Sequence, residues 1–123
     1  MTEDNPIEGQ VLVLTAAKAS VGGKRLPDLV AEARRAVEPR ADELRRSYEC
    51  VHEDDVRVVF LAPEDFWVDV GEDLGWSRRE YEAVARAHAE QLLRVGRRED
   101  RLAEFETALD LREAVVVGAG SLE

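Results

Sequence analysis

The chain has little cysteine, little lysine and no long apolar stretch, and these absences narrow the classes of protein it can belong to. Cys50 is the one cysteine among 123 residues, so no disulfide forms within the chain and a four-cysteine zinc site is excluded. No apolar run approaches the roughly 18 residues of a membrane span. Residues 1–4 lack the basic and apolar parts of a signal peptide. We therefore expect a cytoplasmic protein that does not enter a membrane.

The chain contains enough apolar residues to fold, together with a large excess of acidic over basic residues. Hydrophobic residues make up 45% of it, which is typical of a folded domain, and the length suits one such domain. We expect a flexible segment at 1–9, a single α+β domain at 10–119 and a flexible end at 120–123. The last two residues, Leu122 and Glu123, resemble the remnant of a cloning vector.

The charge composition is informative about the salt concentration in which the protein works. Acidic residues number 27 against 15 arginines and only two lysines, for a net charge of −10, and one isoleucine accompanies 16 valines. This composition resembles that of proteins from halophilic archaea, whose surface carboxylates keep them hydrated in concentrated salt. A GC-rich genome would produce the same exchanges of lysine and isoleucine, so both explanations stay open. In dilute salt such a charge opposes nucleic-acid binding; in molar salt it says little about partners.

Apolar segments at 11–14, 56–61 and 114–117 predict three strands of one small sheet. Residues 48–52 predict a fourth strand, paired with 56–61 as a hairpin through the acidic turn at 53–55. Helical segments lie between these strands. The sequence therefore predicts an α+β fold in which a three- or four-stranded sheet is covered by helices.

Prolines and small residues predict where the helices begin and end. A helix should begin near Pro27 and break at Pro39. After Pro63, a short helix through residues 66–74 is favoured over a strand. Ser77 and Glu80 have capping-box spacing, so a helix should begin there.

The helix that begins at Ser77 has two possible lengths. Gly96 is a natural stop, followed by a second helix at about 99–111. The apolar face nevertheless keeps its phase through Gly96. One kinked helix or a helix pair over 77–111 therefore remains possible.

The loop from Lys18 to Arg25 is a candidate anion site. It holds both lysines of the chain and lies between a predicted strand and a predicted helix, where a phosphate cradle would lie. It does not match a P-loop, because Lys18 replaces the first glycine and Arg25 replaces the magnesium-binding hydroxyl residue. A plain flexible connection is the alternative. The candidate anion-binding residues are Lys18, Lys24 and Arg25.

The histidines and the acidic clusters predict no metal and no cofactor. His88 falls on an apolar helix face, where a histidine that packs its ring is expected. Cys50 and His52 offer only two ligands, whereas zinc needs three or four. A catalytic pair of Cys50 and His88 would require a proximity that the sequence does not show. The carboxylates of Asp69, Glu72 and Asp73 are expected to form a solvated face.

Residues 64–84 resemble the helix-turn-helix motif of DNA-binding proteins. Gly71 would let two helices approach, Gly75 would make the turn, and Tyr81 would pack back on the first helix. The resemblance implies that exposed residues early in the second helix reach the major groove. Here these residues are Arg78, Arg79 and Glu82.

Taken together, these patterns favour a non-catalytic interaction or regulatory module. A helix-turn-helix DNA-binding regulator is the alternative, and a small enzyme comes third because no catalytic constellation is evident. A partner protein or a second copy would use the apolar seam of the long helix or any exposed part of an aromatic surface. The aromatic residues are Phe66, Trp67 and Trp76, which would otherwise lie in the core.

Overall fold

The computed structural model describes residues 5–122, which form a three-stranded antiparallel sheet and six α-helices. The strands are β1 (Glu49–Glu53), β2 (Arg57–Ala62) and β3 (Glu113–Gly118), in the order β1-β2-β3. The helices are α1 (Gly9–Lys18), α2 (Arg25–Val37), α3 (Ala41–Ser47), α4 (Phe66–Leu74), α5 (Arg78–Glu99) and α6 (Leu102–Leu109). Short 3-10 helices span Glu38–Arg40 and Ala119–Leu122. The predicted α+β fold with a long helix is confirmed.

The middle strand β2 is buried along its whole length, because helices cover both faces of the sheet. Successive side chains of a strand point to opposite faces. Val59 therefore packs in a core with Ile7, and Phe60 packs in a second core with Trp67. The predicted hairpin is also confirmed, since Phe60 pairs with Cys50 across β1 and β2.

The segment at 11–14 is helical, so the prediction of a strand there is wrong. It belongs to α1, in which only Val11 and Thr15 are buried, one helical turn apart. Val13 and Leu14 are exposed. A run of apolar residues contains no polar positions to reveal its period, and helix and strand therefore cannot be told apart from it. The sheet therefore has three described strands, which correspond to the predicted segments at 48–52, 56–61 and 114–117.

Residues 5–9, expected to be flexible, are packed against the domain, whereas residues 1–4 lie outside the described residues. Ile7 is buried in the core. Arg57 donates from Nε to the carbonyl oxygen of Pro6 at 2.8 Å. Arg98 donates two hydrogen bonds to the carboxylate of Glu8, at 2.7 and 2.9 Å, and Gln91 donates a third at 2.8 Å. Glu8 thereby fastens the start of the chain to α5.

Replacing Glu8 with glutamine is expected to lower the free energy of unfolding by about 1–2 kcal/mol at pH 7. The hydrogen bonds from Arg98 lower the pKa of the Glu8 carboxyl from 4.5 to about 2. The charge therefore stabilises the fold fully above pH 4.5, and this contribution is lost as the pH falls through about 2.

Urea unfolding of the wild type and the Glu8→Gln variant from pH 7 to 2 measures this difference. Glu106→Gln serves as the control, since Glu106 is exposed and has no ion-pair partner among residues 5–122. A difference between wild type and Glu8→Gln that does not shrink at low pH would contradict the role of the charge.

The corner between α4 and α5 forms as its residues predict. Gly75 ends α4 with φ +74°, a conformation that glycine adopts without strain, and Trp76 donates from its backbone N–H to the carbonyl of Gly71 at 2.8 Å. Ser77 and Glu80 then form the complete capping box of α5. These two signals fix the turn between the helices.

The helix pair expected over 77–111 is confirmed, but α5 continues past the predicted stop at Gly96 to Glu99. The chain turns at Asp100, which has φ 58°, and α6 follows as a separate helix. A Cβ on Gly96 would lie 2.9 Å from Phe105 and 3.1 Å from the Cα of Leu102. This glycine therefore allows α6 to pack closely on α5.

Side chains from three other elements cover the outer edge of β3. Trp67 donates from Nε1 to the carbonyl of Ala114 at 3.0 Å. The backbone N–H of Val116 donates to Nδ1 of His88 at 2.9 Å. The N–H of Gly118 donates to Oε2 of Glu38 at 2.8 Å. Three of the backbone groups that a further strand would pair with are thus already bonded.

Candidate functional site

A small basic cleft lies between the end of α1 and the first half of α5. Helix α1 packs along α5. At the start of α1, Glu8 bonds Arg98, and at its last residue, Lys18 bonds Glu90. The first half of α5 is consequently left open beside the loop after α1. The cleft has a volume of about 230 Å³ and is lined by Lys18, Ala19, Ser20, Arg79, Glu82, Ala83 and Arg86.

The charge of the cleft is positive because its acidic neighbours are already engaged. Glu82 accepts a hydrogen bond from Arg78 at 2.9 Å, which also raises the pKa of Arg78. Lys18 lies 3.1 Å from Glu90. Arg79 and Arg86 are exposed, and neither has a carboxylate partner among residues 5–122. Two guanidinium groups are therefore free to bind an anion.

The cleft unites residues from two separate sequence predictions. Lys18 comes from the candidate anion loop, and Arg79 with Glu82 comes from the helix-turn-helix resemblance. Sequence reasoning did not assign Ser20 to a site. Arg86 lies seven residues after Arg79, so the helical period places both on one face of α5.

The other two candidate anion residues do not line the cleft. The loop follows a helix, so the predicted strand that would lead into a phosphate cradle is absent from it. Arg25 bonds Glu80 at 3.1 Å and lies 3.8 Å from Glu32. Lys24 is exposed outside the cleft lining. Only Lys18 of the three contributes to the cleft.

The helical corner has some features of the DNA-binding motif and departs from it in others. A Cβ on Gly71 would lie 2.7 Å from the Cβ of Tyr81, so the two helices meet as closely as the resemblance implies. Arg78, Arg79 and Glu82 are exposed on α5. However, α5 has 22 residues and the strand β2 precedes the corner.

The three aromatic residues lie in the core, which corrects the expectation that they offer an interaction surface. Phe66, Trp67 and Trp76 are all buried. The indole N–H of Trp67 bonds Ala114, and that of Trp76 donates to Glu32 at 3.3 Å. The apolar seam of α5 is also buried. Neither surface remains for a partner in this conformation.

Two large aliphatic side chains on α1 are exposed. Val13 is 70% exposed and Leu14 is 49% exposed. Leu14 and Lys18 are one helical turn apart, so they share a face of α1. The apolar patch therefore adjoins the basic cleft through Lys18.

The histidines and the cysteine do not form a catalytic group among the described residues. Nε2 of His52 lies 2.7 Å from Asp54 and its Nδ1 lies 3.4 Å from Glu99, so both ring nitrogens face carboxylates. Cys50 donates to the backbone carbonyl of His52. His88 is fully buried against Trp67, with ring centroids 4.4 Å apart. Neither histidine is therefore placed to activate the thiol of Cys50.

Residues 5–122 contain neither a candidate metal-binding cluster nor a membrane-spanning helix. In this range, no group of three or more histidine, cysteine or acidic side chains is arranged to hold a metal ion. Asp69, Glu72 and Asp73 are exposed on α4. Within the same range, no helix combines the length and the apolar character that crossing a membrane requires.

A larger groove of about 1100 Å³ lies beside Gly118 and Ser121. Its polar lining is mostly engaged within the fold. Arg34 donates to Glu38 at 2.9 Å, Glu38 accepts from the N–H of Gly118, and Ser121 donates to the carbonyl of Gly118 at 2.6 Å. The groove therefore presents fewer free cationic groups than the smaller cleft does.

Comparison with known proteins yields a family but no activity. A model of the family described as Domain of unknown function (DUF8048) matches residues 5–119. No curated protein and no solved structure matches the chain.

Proposed function

The chain belongs to this family, and we propose that it is a non-catalytic interaction module that binds an anionic group of its partner in the basic cleft. The observation that carries the proposal is the convergence of Lys18, Arg79 and Arg86 on one cleft. Both arginines are exposed, line the same cleft and have no carboxylate partner among the described residues.

The size of the cleft favours a group on a larger partner over a free small molecule. Pockets for small molecules usually start at about 300 Å³. The cleft, at about 230 Å³, is smaller than that. It is still large enough for a carboxylate, sulfate or phosphate group. The partner would thus insert one anionic group while most of it stays outside.

The side chains that line the cleft suit such a group chemically. A guanidinium donates two parallel hydrogen bonds to an oxyanion, a geometry that an ammonium cannot match. Arg79 and Arg86 lie two helical turns apart on α5, and both line the cleft. The hydroxyl of Ser20, which also lines the cleft, offers a further donor.

Inorganic phosphate is expected to bind the cleft with a dissociation constant of about 1–10 mM. A titration followed by ¹H–¹⁵N NMR at constant ionic strength should shift the amide signals of residues 18–20 and 79–86. The double variant Arg79→Ala, Arg86→Ala should weaken binding by about tenfold or more.

A matched double variant, Arg46→Ala with Arg97→Ala, controls for the general loss of two positive charges. Both arginines are exposed and have no carboxylate partner within residues 5–122. This control should bind phosphate as the wild type does. Equal weakening in the two double variants would show that phosphate senses net charge only, and the proposal would fail.

DNA binding is a second candidate, favoured by the exposure of Arg78, Arg79 and Arg86 on one helix after a tight corner. A fluorescently labelled duplex of random sequence tests it. Binding should weaken steeply as salt is raised and should be lost in the Arg79→Ala, Arg86→Ala variant. Phosphate binding without duplex binding would leave only the first proposal.

The composition supports a cytoplasmic, salt-rich environment as part of the proposal. The acid excess, the two lysines and the unpaired Cys50 are its basis. Binding is therefore best measured both in dilute buffer and in about 2 M KCl, where exposed charges are strongly screened.

A further inference from the structure

We propose that the partner is a protein segment with an acidic side chain for the basic cleft and a large apolar side chain for the exposed face of α1. This inference rests on the proposed function, because it takes the cleft as the anion site. It adds the class of the partner and a second contact, formed by Val13 and Leu14.

The exposed face of α1 is apolar around Val13 and Leu14. Large aliphatic side chains that residues 5–122 leave exposed are Val13, Leu14, Leu74 and Leu111. Two of these four are neighbours on α1, whereas Leu74 and Leu111 are far apart in the chain. Exposed aliphatic residues scattered singly are ordinary, whereas Val13 and Leu14 are adjacent and lie beside the basic cleft.

The apolar and basic parts form one continuous surface. Leu14 precedes Lys18 by four residues, which places their side chains side by side on the helix. Lys18 also lines the cleft with Arg79 and Arg86. A segment that crosses Lys18 would therefore touch both parts at once.

Charge complementarity favours a short acidic segment over other anionic partners. In dilute salt, a duplex or an anionic bilayer, being an extended surface, would beyond the cleft also face the carboxylates that give this chain its charge of −10. A single segment contacts only the basic patch. The carboxylates next to that patch, Glu82 and Glu90, already bond Arg78 and Lys18.

A second copy of the chain fits this surface less well. Helix α1 contains no acidic residue, so two α1 faces placed together would offer Lys18 no carboxylate from the partner copy. An acidic segment of another protein supplies that charge. Its apolar side chain would bury Val13 and Leu14, a contact that concentrated salt does not weaken.

A displayed library of random peptides about 15 residues long, selected on the wild-type protein, tests the inference. Selected peptides should combine aspartate or glutamate with leucine, isoleucine, phenylalanine or methionine. The best peptide is then synthesised with a fluorescent label and measured by anisotropy. The Val13→Ser, Leu14→Ser variant should bind it about tenfold more weakly or worse, as should Arg79→Ala, Arg86→Ala.

Two controls separate this inference from the proposed function. Leu111→Ser removes an equally exposed leucine elsewhere and should leave peptide affinity unchanged. Phosphate titration of Val13→Ser, Leu14→Ser should match that of the wild type, which shows that the fold and the cleft are intact. If phosphate binds but the Val13→Ser, Leu14→Ser variant binds the selected peptide as tightly as the wild type does, this inference is overturned and the proposed function is not.

The remaining outcomes overturn it as well. These are a library that enriches no peptide, one that enriches peptides without acidic residues, and a dimer in light scattering that the Val13→Ser, Leu14→Ser variant abolishes. The last result would assign the α1 face to a second copy. Phosphate that fails to bind the wild type would overturn the proposed function itself.

Discussion

Replacing His88 with leucine is expected to lower the free energy of unfolding by about 2–3 kcal/mol. Leucine fills most of the volume but accepts no hydrogen bond, so the buried N–H of Val116 would lose its partner at the edge of β3. Chemical unfolding at pH 7 measures the loss. His88→Asn is the informative comparison, because its side-chain oxygen can take the position of Nδ1.

His88→Asn should therefore lose less stability than His88→Leu, although asparagine is smaller and less apolar. The opposite order would show that packing against Trp67, and not the bond to Val116, is the main contribution of His88. In both cases the ring of His88 is neutral. Because Nδ1 accepts the bond from Val116, the single ring proton lies on Nε2, and residues 5–122 provide no hydrogen-bond acceptor for it.

The same histidine makes stability depend on pH. Burial lowers the pKa of His88 from 6.5 to about 3. Between these values the unfolded chain binds a proton that the folded protein excludes, so stability falls as the pH is lowered below 6.5. The slope reaches about 1.4 kcal/mol per pH unit at most.

The difference between the wild type and His88→Leu from pH 7 to 5 isolates this effect. Glu8 and Asp54, whose pKa values are lowered to about 2, contribute only below pH 4.5 and 3.8. Glu113, whose pKa is raised by burial, contributes above pH 4.5 but is present in both proteins. The fall in stability on acidification should be lost in His88→Leu and persist in His52→Asn, which removes the other histidine. A slope that follows His52 instead would contradict the assignment to His88.

Gly71→Ala is expected to destabilise the domain by about 2 kcal/mol, even though alanine is the better helix former by about 1 kcal/mol. The new Cβ would lie 2.7 Å from the Cβ of Tyr81 and 2.8 Å from its ring. Real Cβ atoms do not approach so closely, so α4 and α5 must move apart. Thermal or urea unfolding measures the loss.

The geometry also predicts that shortening Tyr81 does not rescue Gly71→Ala. Alanine at position 81 keeps the Cβ that is closest to the added methyl group. Gly71→Ala should therefore still destabilise the Tyr81→Ala protein. Gly22→Ala is the control, because open space surrounds Gly22 and the change should stay within about 0.5 kcal/mol. A stabilising Gly71→Ala would show that the helices separate at little cost.

The sequence predicted those parts of the fold that depend on local chemistry. The capping box of Ser77 and Glu80, the break at Pro39 and the strand β2 each follow from side chains within a few residues. Helix α1 could not be predicted, because its apolar run hides the period and its burial depends on packing against α5.

The candidate site was only half predictable for a related reason. Arg79 and Lys18 could be singled out from local context, but their proximity depends on where α1 ends along α5, which no local pattern specifies. The partner of His88 is equally remote, since Val116 lies 28 residues away along the chain. Contacts of this kind are products of the assembled fold.

The covered edge of β3 limits how copies of this domain can assemble. A strand from a neighbouring chain could extend the sheet there only by displacing Trp67, His88 and Glu38 from the backbone groups they bond. That side of the sheet is consequently protected against the edge-to-edge pairing that begins fibrils. Any polymer built from folded copies would have to grow through helices or through β1.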